Sequence, residues 1–333
     1  MLGSRAPAGS TRVLERQGPA PVQQRGGAAA RRRSGARKGS VPDSLAHVLL
    51  ARCEFPPPPT PVACAVSGGA DSLALLILAV AAGLRPTAIH VDHGLRVGSA
   101  DEALMVKDAA GQLGAGFEAR TVTVEPGPNL EARARSERYA ALPEGVLTGH
   151  TADDLAETIL VNLLRGAGLD GLAPMRPTGR VSRPLLGLRR RETRALCADV
   201  GLTPIDDPSN HDTRFTRNRV RHELLPLLGD IATRDPVPIL VRQSQLLGAE
   251  ANLLDQLAAA LDPTDARAMS AAPEVLARRA IRAWLRTTEA EHHPPTAAEV
   301  ERVLGVVRGN AVACELSGHR RVQRSKGRLT LHG

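Results

Sequence analysis

The residues best suited to chemistry lie at positions 67–72, which read Ser-Gly-Gly-Ala-Asp-Ser. Glycines allow positive φ and a close approach of the backbone to a ligand, and the amides at a helix start attract anions. The segment predicts a phosphate-binding loop made of Ser67, Gly68, Gly69, Ala70, Asp71 and Ser72, with Asp71 as a candidate magnesium ligand. The chain has no Walker-type Gly-x-x-x-x-Gly-Lys-Ser/Thr sequence. A tight turn with an Asp or Ser helix cap is the alternative.

Polar residues also follow a second apolar segment, in the sequence Ile89-His-Val-Asp-His-Gly-Leu-Arg96. A sharp turn at Gly94 would place His93 and Arg96 beside the phosphate-binding loop, where both could contact a bound nucleotide. A strand end with solvated polar groups explains these residues equally well. They therefore support a ligand site only together with the other segments.

A third segment, Gly149-His-Thr-Ala-Asp-Asp-Leu-Ala-Glu-Thr158, places acids at the start of a predicted helix. Asp154 and Glu157 are three residues apart and therefore share one helical face. Beside a phosphate loop they could hold magnesium or the ammonium group of an amine substrate. Acids at a helix start are also favoured by the helix dipole, so capping is the alternative.

Arginines recur at regular spacing in two further segments. In residues 129–139, Glu131 and Arg135 are four positions apart, as in an ordinary salt-bridged helix. Residues 215–222 carry arginines at the alternate positions 217, 219 and 221, which suits phosphate binding. Between these segments, the glycine-rich residues 166–172 could allow close approach of a substrate backbone.

Strands and helices alternate around these segments, which is typical of a parallel sheet with helices on both faces. Ligands of such sheets bind at the carboxyl ends of the strands, so 67–69, 92–94 and 149–151 should converge. We predict an α/β fold with a doubly wound, mainly parallel sheet and a smaller, mostly helical C-terminal domain. The predicted strands are 62–66, 87–92, 121–125 and 145–148, with helices at about 71–82, 100–113, 129–141 and 152–165, helical periodicity through about 187–228, and short terminal strands at 321–322 and 329–331.

The net charge of +8 is concentrated in the first 40 residues, which hold nine Lys or Arg and one Glu. We predict that residues 1–41 are a disordered basic extension. It is a polyanion-binding arm, a solvated extension or the product of an upstream start codon. The remainder has no net charge, so nucleic-acid binding there must depend on local clusters, such as Arg320, Arg321, Arg324, Lys326 and Arg328.

The four cysteines show no paired spacing, which fits reduced thiols in a cytoplasmic protein rather than a disulfide framework or zinc site. No segment resembles a secretory signal, and the longest apolar stretch, near 73–84, is too short to span a bilayer. With five aromatic residues in the whole chain, base stacking can be only a minor mode of RNA binding.

In this order, the segments resemble those of the tRNA(Ile)-lysidine synthase family. The loop alone resembles the wider superfamily of PP-loop ATP pyrophosphatases. The narrower resemblance covers about residues 60–228, with a looser match in the last fifty or so. It depends on the motifs at 90–96, 134–139, 149–158, 165–172 and 217–222 taken together.

The resemblance implies an ATP-dependent ligase that attaches lysine to carbon-2 of the wobble cytidine in an isoleucine tRNA with a CAU anticodon. ATP would activate the carbonyl oxygen at carbon-2, the lysine ε-amine would displace AMP, and the product would read AUA rather than AUG. The implied ligands are ATP, Mg2+, L-lysine and this tRNA, without a membrane partner. A homodimer is one assembly that the sequence permits.

The resemblance also implies roles for single residues. The loop would cradle the ATP phosphates, Asp154 and Glu157 would orient lysine, ATP or the metal, and Asp71 and Asp154 are the metal candidates. Arg135 and Arg217 would stabilise charge on the adenylated cytidine, and an acid near Asp154 would accept the lysine proton. Leu155 stands where many members carry Gln and receives no role. The implied domains are 42–229 for ATP binding and catalysis and 230–333 for tRNA or substrate binding.

Three other functions are compatible with the phosphate loop. A tRNA thiolase of the same superfamily would often use a cysteine pair, which this chain lacks. A small-molecule ligase similar to GMP synthetase would leave the arginine motifs unexplained. A non-catalytic, nucleotide-dependent RNA-binding protein would have no need of Asp71, Asp154 and Glu157.

Overall fold

Five parallel strands form the central sheet. The structure is a computed structural model and describes residues 43–92, 99–123, 130–173, 181–206, 208–287 and 295–333. The strands are β1 (Pro61–Ala65), β2 (Arg85–Asp92), β3 (Gly116–Thr121), β4 (Val146–Thr148) and β5 (Val181–Ser182). Their order in the sheet is β3-β2-β1-β4-β5, and every neighbouring pair is parallel. The predicted α/β fold with a mainly parallel sheet is therefore confirmed.

Helices connect and cover these strands. They are α1 (Asp43–Leu50), α2 (Ala70–Ala81), α3 (Ser99–Leu113), α4 (Leu130–Ala140), α5 (Ala152–Leu164), α6 (Leu169–Leu172), α7 (Arg190–Val200), a 3-10 helix (Pro208–His211), α8 (Thr216–Arg219), a π-helix (Val220–Leu224) and α9 (Leu225–Ala232). Helix α2 is apolar on all sides and buried along most of its length, because it contacts the sheet, α1 and α7. Helix α7 ends at Gly201, whose φ of +75° is the left-handed conformation common at helix ends.

Side chains of the strands enter two separate cores, one on each face of the sheet. Cys64 and Ala88 pack on the face that α1, α2, α3 and α7 cover. Ala63 and Ile89 pack on the opposite face, against Leu142 and its neighbours just after α4. The sheet is thus buried on both faces, as a doubly wound fold requires.

The last hundred residues form helices and a small antiparallel sheet around a core of their own. These elements are α10 (Pro236–Ala259), α11 (Ala266–Ala271), α12 (Glu274–Thr287), α13 (Ala297–Val307), β6 (Ala313–Glu315), β7 (Arg321–Ser325) and β8 (Arg328–His332). Helix α10 also packs on α5 and α6 and contributes Val237 to a core shared with Ala156 and Leu160. The mostly helical C-terminal region is confirmed, and the domain boundary near residue 230 stays a prediction.

The prediction of the third strand was wrong. It was expected at 121–125, but β3 pairs with β2 from Gly116 opposite Thr87 to Thr121 opposite Asp92. β3 lies at the edge of the sheet and is largely exposed, so it lacks the apolar run on which the prediction depended. Strands β5 and β6 have two and three residues and were not predicted. Neither is fully buried, so neither has the apolar pattern of β4, which is equally short but was predicted.

Helical periodicity was predicted through about 187–228. The structure has α7, then a segment that contains the short 3-10 helix, and then α8, the π-helix and α9 in one continuous helical run from Thr216 to Ala232. The predicted extension at 1–41 lies outside the described residues. In the part of the chain that is described, no helix has both the length and the apolar character that crossing a membrane requires.

Candidate functional site

The strand order reverses at β1, which pairs with β2 on one side and β4 on the other. In open α/β sheets such a reversal opens a crevice at the carboxyl ends of the strands, where ligands bind. Strand β1 leads into the phosphate loop, and β4 leads into Gly149. A Cβ atom on Gly149 would lie 2.6 Å from the carbonyl carbon of Asp71, so glycine is needed where these two loops meet. The predicted convergence of 67–69 and 149–151 is confirmed. Of the third predicted cluster, 92–94, only Asp92 at the end of β2 is described, and residues 93–96 lie outside the described residues.

The phosphate loop turns sharply between β1 and α2. Gly68 has a φ of +89°, which favours glycine, and its carbonyl accepts a hydrogen bond from the Ile205 amide at 3.0 Å. The Ser72 hydroxyl donates to the Gly69 carbonyl at 2.8 Å and accepts from the Ser67 amide at 3.2 Å. Helix α2 begins after Gly69 without a side-chain cap. The positive end of this helix is therefore available for an anion, as the predicted phosphate site requires.

The three predicted acids, Asp71, Asp154 and Glu157, gather around one guanidinium group, that of Arg190 in α7. Nη1 of Arg190 donates to Glu157 Oε1 at 2.8 Å, and Nη2 donates to Asp154 Oδ1 at 2.9 Å. Nε lies 3.4 Å from Asp71 Oδ2. The buried hydroxyl of Thr193, on the next turn of α7, donates to Asp71 Oδ1. Helix α7 thus joins the phosphate loop to the acids of α5.

Two arginines of the segment 215–222 complete this cluster. Arg217 donates to Glu157 Oε2 at 2.8 Å and to Asp154 Oδ1 at 3.0 Å. Arg221 donates to both oxygens of Glu157, at 2.7 and 3.0 Å. Arg219 instead forms an exposed pair with Glu223. The alternate arginines are therefore not equivalent, because a helix brings only 217 and 221 to the face that meets α5.

The side chains of this cluster differ in how exposed they are to solvent. Glu157 is 0% exposed, and both of its oxygens accept hydrogen bonds from arginines. The Arg217 side chain, by contrast, is 35% exposed. Glu157 therefore orients the arginines from beneath, and Arg217 is the most exposed of the three arginines that contact it.

The same contacts set the charge states of the acids. Burial alone would raise the pKa of Asp154, but the positive charges of Arg190 and Arg217 outweigh it and lower that pKa well below its usual range. Burial would also raise the pKa of Glu157, but the hydrogen bond from Arg221 and the positive charge of Arg190 outweigh it, so this pKa is lowered as well. The pKa of Asp71 is raised, by burial and by the negative charge of Asp154. A strongly acidic Asp154 is a poor proton acceptor, which disfavours it as the base for a lysine ammonium.

Asp154 also caps its own helix. Its Oδ2 accepts from the amide and the hydroxyl of Thr151, at 2.9 and 2.8 Å, in a capping box. The capping interpretation is therefore confirmed, and the other oxygen faces Arg190 and Arg217. A role of Asp154 in holding magnesium or an amine stays a prediction.

Asp153, the other acid of the pair, contacts the start of α7. It accepts from the Arg190 amide at 2.8 Å and from two nitrogens of the Arg189 side chain, each at 3.0 Å. Arg189 also pairs with Asp235, which caps α10. These contacts join the starts of α5, α7 and α10.

The structure thus brings together the loop 67–72, Asp154, Glu157 and Arg217. Arg135 lies in α4, and its side chain is outside the described residues, as are His93 and Arg96. Arg190 and Thr193 are parts of the cluster that were not predicted, and Arg221 was predicted only as one of three arginines suited to phosphate. The four-residue spacing between Arg217 and Arg221 is a sequence signal that places both on one helical face. Arg190 lies far from the acids in sequence and has no such signal.

The basic residues near the C-terminus are mostly engaged within the protein. Arg320 is buried, and Arg324 donates to the Val307 carbonyl at 2.7 Å. Arg321 and Arg328 form exposed ion pairs with Glu315 and Asp262. This arrangement leaves less free positive charge for RNA phosphates than the sequence suggests.

The described residues contain no group of three or more His, Cys, Asp or Glu side chains arranged to hold a metal ion. Magnesium usually binds one or two carboxylates together with substrate phosphates and water. Asp71, at the start of α2 beside the phosphate loop, fits such a site. Both acids have donors at their oxygens, but the Asp71 side chain is 25% exposed and the Asp154 side chain 12%. Asp154 fits the metal less well, because it is more buried and accepts from Thr151, Arg190 and Arg217.

Comparisons with known proteins agree with this geometry. A model of the PP-loop domain family matches residues 47–228. The tRNA(Ile)-lysidine synthase of Nocardia farcinica is 43% identical over 294 residues, which cover 81% of this chain and 91% of that protein. This chain belongs to the tRNA(Ile)-lysidine synthase family. A second lysidine synthase, from Mycobacterium leprae, is 42% identical over 292 residues, covering 80% of this chain and 90% of the relative.

Membership of the lysidine synthase family confirms the resemblance drawn from the motifs, and the PP-loop domain supports the use of ATP. Among solved structures, a U34-tRNA thiolase from Methanococcus maripaludis has a TM-score of 0.48 and 16% identity, covering 61% of this chain and 78% of that chain.

Proposed function

We propose that this chain ligates lysine to carbon-2 of the wobble cytidine in a CAU-anticodon isoleucine tRNA, and that it consumes ATP and releases AMP and pyrophosphate. The observation that carries the proposal is the meeting of a phosphate loop with an arginine-bound acid cluster, in a member of the lysidine synthase family. Modification by lysine would change codon reading from AUG to AUA.

The first step forms a bond between the cytidine O2 and the α-phosphorus of ATP and breaks the bond to the leaving pyrophosphate. The loop amides and the start of α2 hold the phosphates, and Ser67 and Ser72 add hydroxyl groups. Asp71 would hold Mg2+, which neutralises charge on the phosphates when bound. Arg217 is exposed enough to approach the negative charge that develops there, and Arg135 is the second candidate for that role.

In the second step the lysine ε-amine loses a proton to solvent, and its nitrogen forms a bond to carbon-2. The bond from carbon-2 to oxygen breaks, and AMP leaves with that oxygen. Asp154 carries a stable negative charge and a side chain that is 12% exposed, which suits it to orient the amine rather than to accept its proton. Glu157 supports this step indirectly, because it fixes Arg217 and Arg221. A CAU anticodon loop offers the cytidine unpaired, which reduces the cost of exposing its base edge.

We assign RNA contacts outside the cluster to residues 230–333, and we place the enzyme in the cytoplasm, where its tRNA, lysine and ATP are found. The paired state of several C-terminal arginines means that shape and backbone contacts contribute beside charge. A homodimer stays a prediction.

The proposal is tested with purified protein, labelled lysine, ATP with Mg2+ and a CAU-anticodon isoleucine tRNA transcript. We expect lysine incorporation and AMP release, and neither with an elongator methionine tRNA transcript. AMP release that requires a different nucleophile or a different tRNA would keep the ATP chemistry and overturn the substrate. Binding of ATP and RNA without AMP release would favour a non-catalytic RNA-binding protein.

A further inference from the structure

The guanidinium group of Arg190 contacts three carboxylates that belong to two different parts of the proposed reaction. Nε faces Asp71, beside the phosphate loop, whereas Nη1 and Nη2 donate to Glu157 and Asp154 on α5. Each of its three nitrogens thus faces a different acid. Among the described contacts of Arg217 and Arg221, none is to Asp71, so neither duplicates this arrangement.

The backbone from which Arg190 projects is itself held in place. Its amide donates to Asp153 Oδ2 at 2.8 Å, and the preceding Arg189 forms a two-pronged ion pair with the same carboxylate. Asp153 is next to Asp154 in the chain, so one turn of α5 both anchors the start of α7 and receives the Arg190 side chain. A side chain fixed at both ends loses little additional freedom when substrates bind.

Electrostatics favour the same assignment. Asp71 and Asp154 repel each other, and the positive charge of Arg190 lies between them. With Arg190 present, three guanidinium groups face three carboxylates. Without it, Arg217 and Arg221 remain near Asp154 and Glu157, and Asp71 loses its cationic neighbour.

We propose that Arg190 is a positioning residue that holds the ATP-side acid Asp71 and the amine-side acids Asp154 and Glu157 in one arrangement, so that ATP binding and lysine use depend on the same side chain. This inference rests on the proposed function, because that function assigns the two groups of acids to different substrates. It differs from an electrostatic role alone, since a lysine at 190 would supply the charge but not three diverging donors.

The test compares Arg190→Gln and Arg190→Lys with the matched control Arg191→Gln. Arg191 is the next residue of the same helix and is exposed. The dissociation constant of ATP with Mg2+ is measured by calorimetry without tRNA, and the KM for lysine is measured in the complete reaction. We expect both constants to rise about tenfold or more in both Arg190 variants, the order expected for losing one hydrogen bond to a charged group. The control should stay within about twofold of the wild type for both constants, as for an exposed residue.

Several results would overturn the proposal. A rise in only one constant would mean that Arg190 serves one substrate, and recovery of both constants in Arg190→Lys would mean that charge alone suffices. If Arg190→Gln does not fold, Arg190→Lys and Asp153→Asn decide the matter. Asp153→Asn should raise both constants and should add nothing further when combined with Arg190→Lys, because both changes act on one side chain. Fully additive effects would contradict this.

Failure of the proposed function gives a different pattern. Wild-type protein that binds ATP but transfers no lysine would refute the function. The ATP titrations then decide the role of Arg190, and an unchanged ATP dissociation constant in Arg190→Gln overturns it.

Discussion

Glu157→Gln is expected to cause a large loss of stability. The carboxylate is fully buried and accepts four hydrogen bonds from the arginines at 190, 217 and 221. Glutamine has nearly the same shape but carries no charge, and its NH2 group would face guanidinium donors. Removing one member of a buried ion pair costs about 3–5 kcal/mol, because the partner is left without compensation.

That range is reasonable here because Asp154 remains and still accepts from Arg190 and Arg217. Arg221 loses most, since both of its contacts with Glu157 involve the removed charge. A change of 1 kcal/mol shifts the Tm of a domain of roughly this size by about 2–4 °C, so we expect a decrease of roughly 6–20 °C. Lysine transfer should fall as well, because Arg217 loses one of the acids that orient it.

The assay is urea or thermal unfolding followed by circular dichroism, with Glu223→Gln as the control. Glu223 also pairs with an arginine of the same segment, but that pair is exposed and four residues apart on a helix. Such a pair contributes only about 0.3–0.5 kcal/mol. If Glu157→Gln costs no more than Glu223→Gln, the buried cluster contributes nothing to stability and the reasoning is refuted.

Three other predictions concern separate parts of the molecule. Burial and a neighbouring negative charge raise the pKa of Asp71, so its charged form costs stability. In EDTA, the Asp71→Asn variant should therefore melt at or above the wild-type temperature, while lysine transfer falls about 100-fold or more. A clear decrease in Tm would contradict this. Gly149→Ala would place a Cβ 2.6 Å from the carbonyl carbon of Asp71. It should weaken ATP binding and lower the free energy of unfolding by about 1–3 kcal/mol. The control Gly111→Ala, which has open space around the new Cβ, should do neither. Hydrogen bonds from two backbone amides lower the pKa of Glu299 to about 2. The stability that the charged Glu299 contributes is therefore complete above its unfolded pKa and lost as pH falls through about 2. The difference in unfolding free energy between wild type and Glu299→Gln should shrink between about pH 5 and 2, and a constant difference would count against this.

The acids of the site could be predicted because their signals are local. Asp71 follows two glycines at a strand end, and Asp154 and Glu157 share one face of a helix start. Arg190 could not be found in this way, since it meets Asp71 across 119 positions of the chain. Its neighbours in sequence are also arginines, and only the packing of α7 against α2 selects which one turns inward.

The strands, like the site residues, include some that could be predicted from local sequence and some that could not. β1 and β2 are central, apolar and long enough for their pattern to be recognised, and both were predicted within two residues. β3 is an exposed edge strand that depends on pairing with β2, and β5 consists of two residues. Their positions follow from the sheet rather than from their own composition.

The π-helix at Val220–Leu224 makes chain length a strict requirement in this part of the protein, in addition to residue type. A π turn holds more residues than an α turn. This one carries Arg221, which donates to Glu157 on α5, and it leads into Leu225, which packs in the core with Val220. Each residue of an α-helix advances it by about 100°, as 3.6 residues complete a turn. Losing one residue between 220 and 224 would therefore rotate either the arginines or the leucines out of place. During evolution this segment should change by substitution and rarely by insertion or deletion.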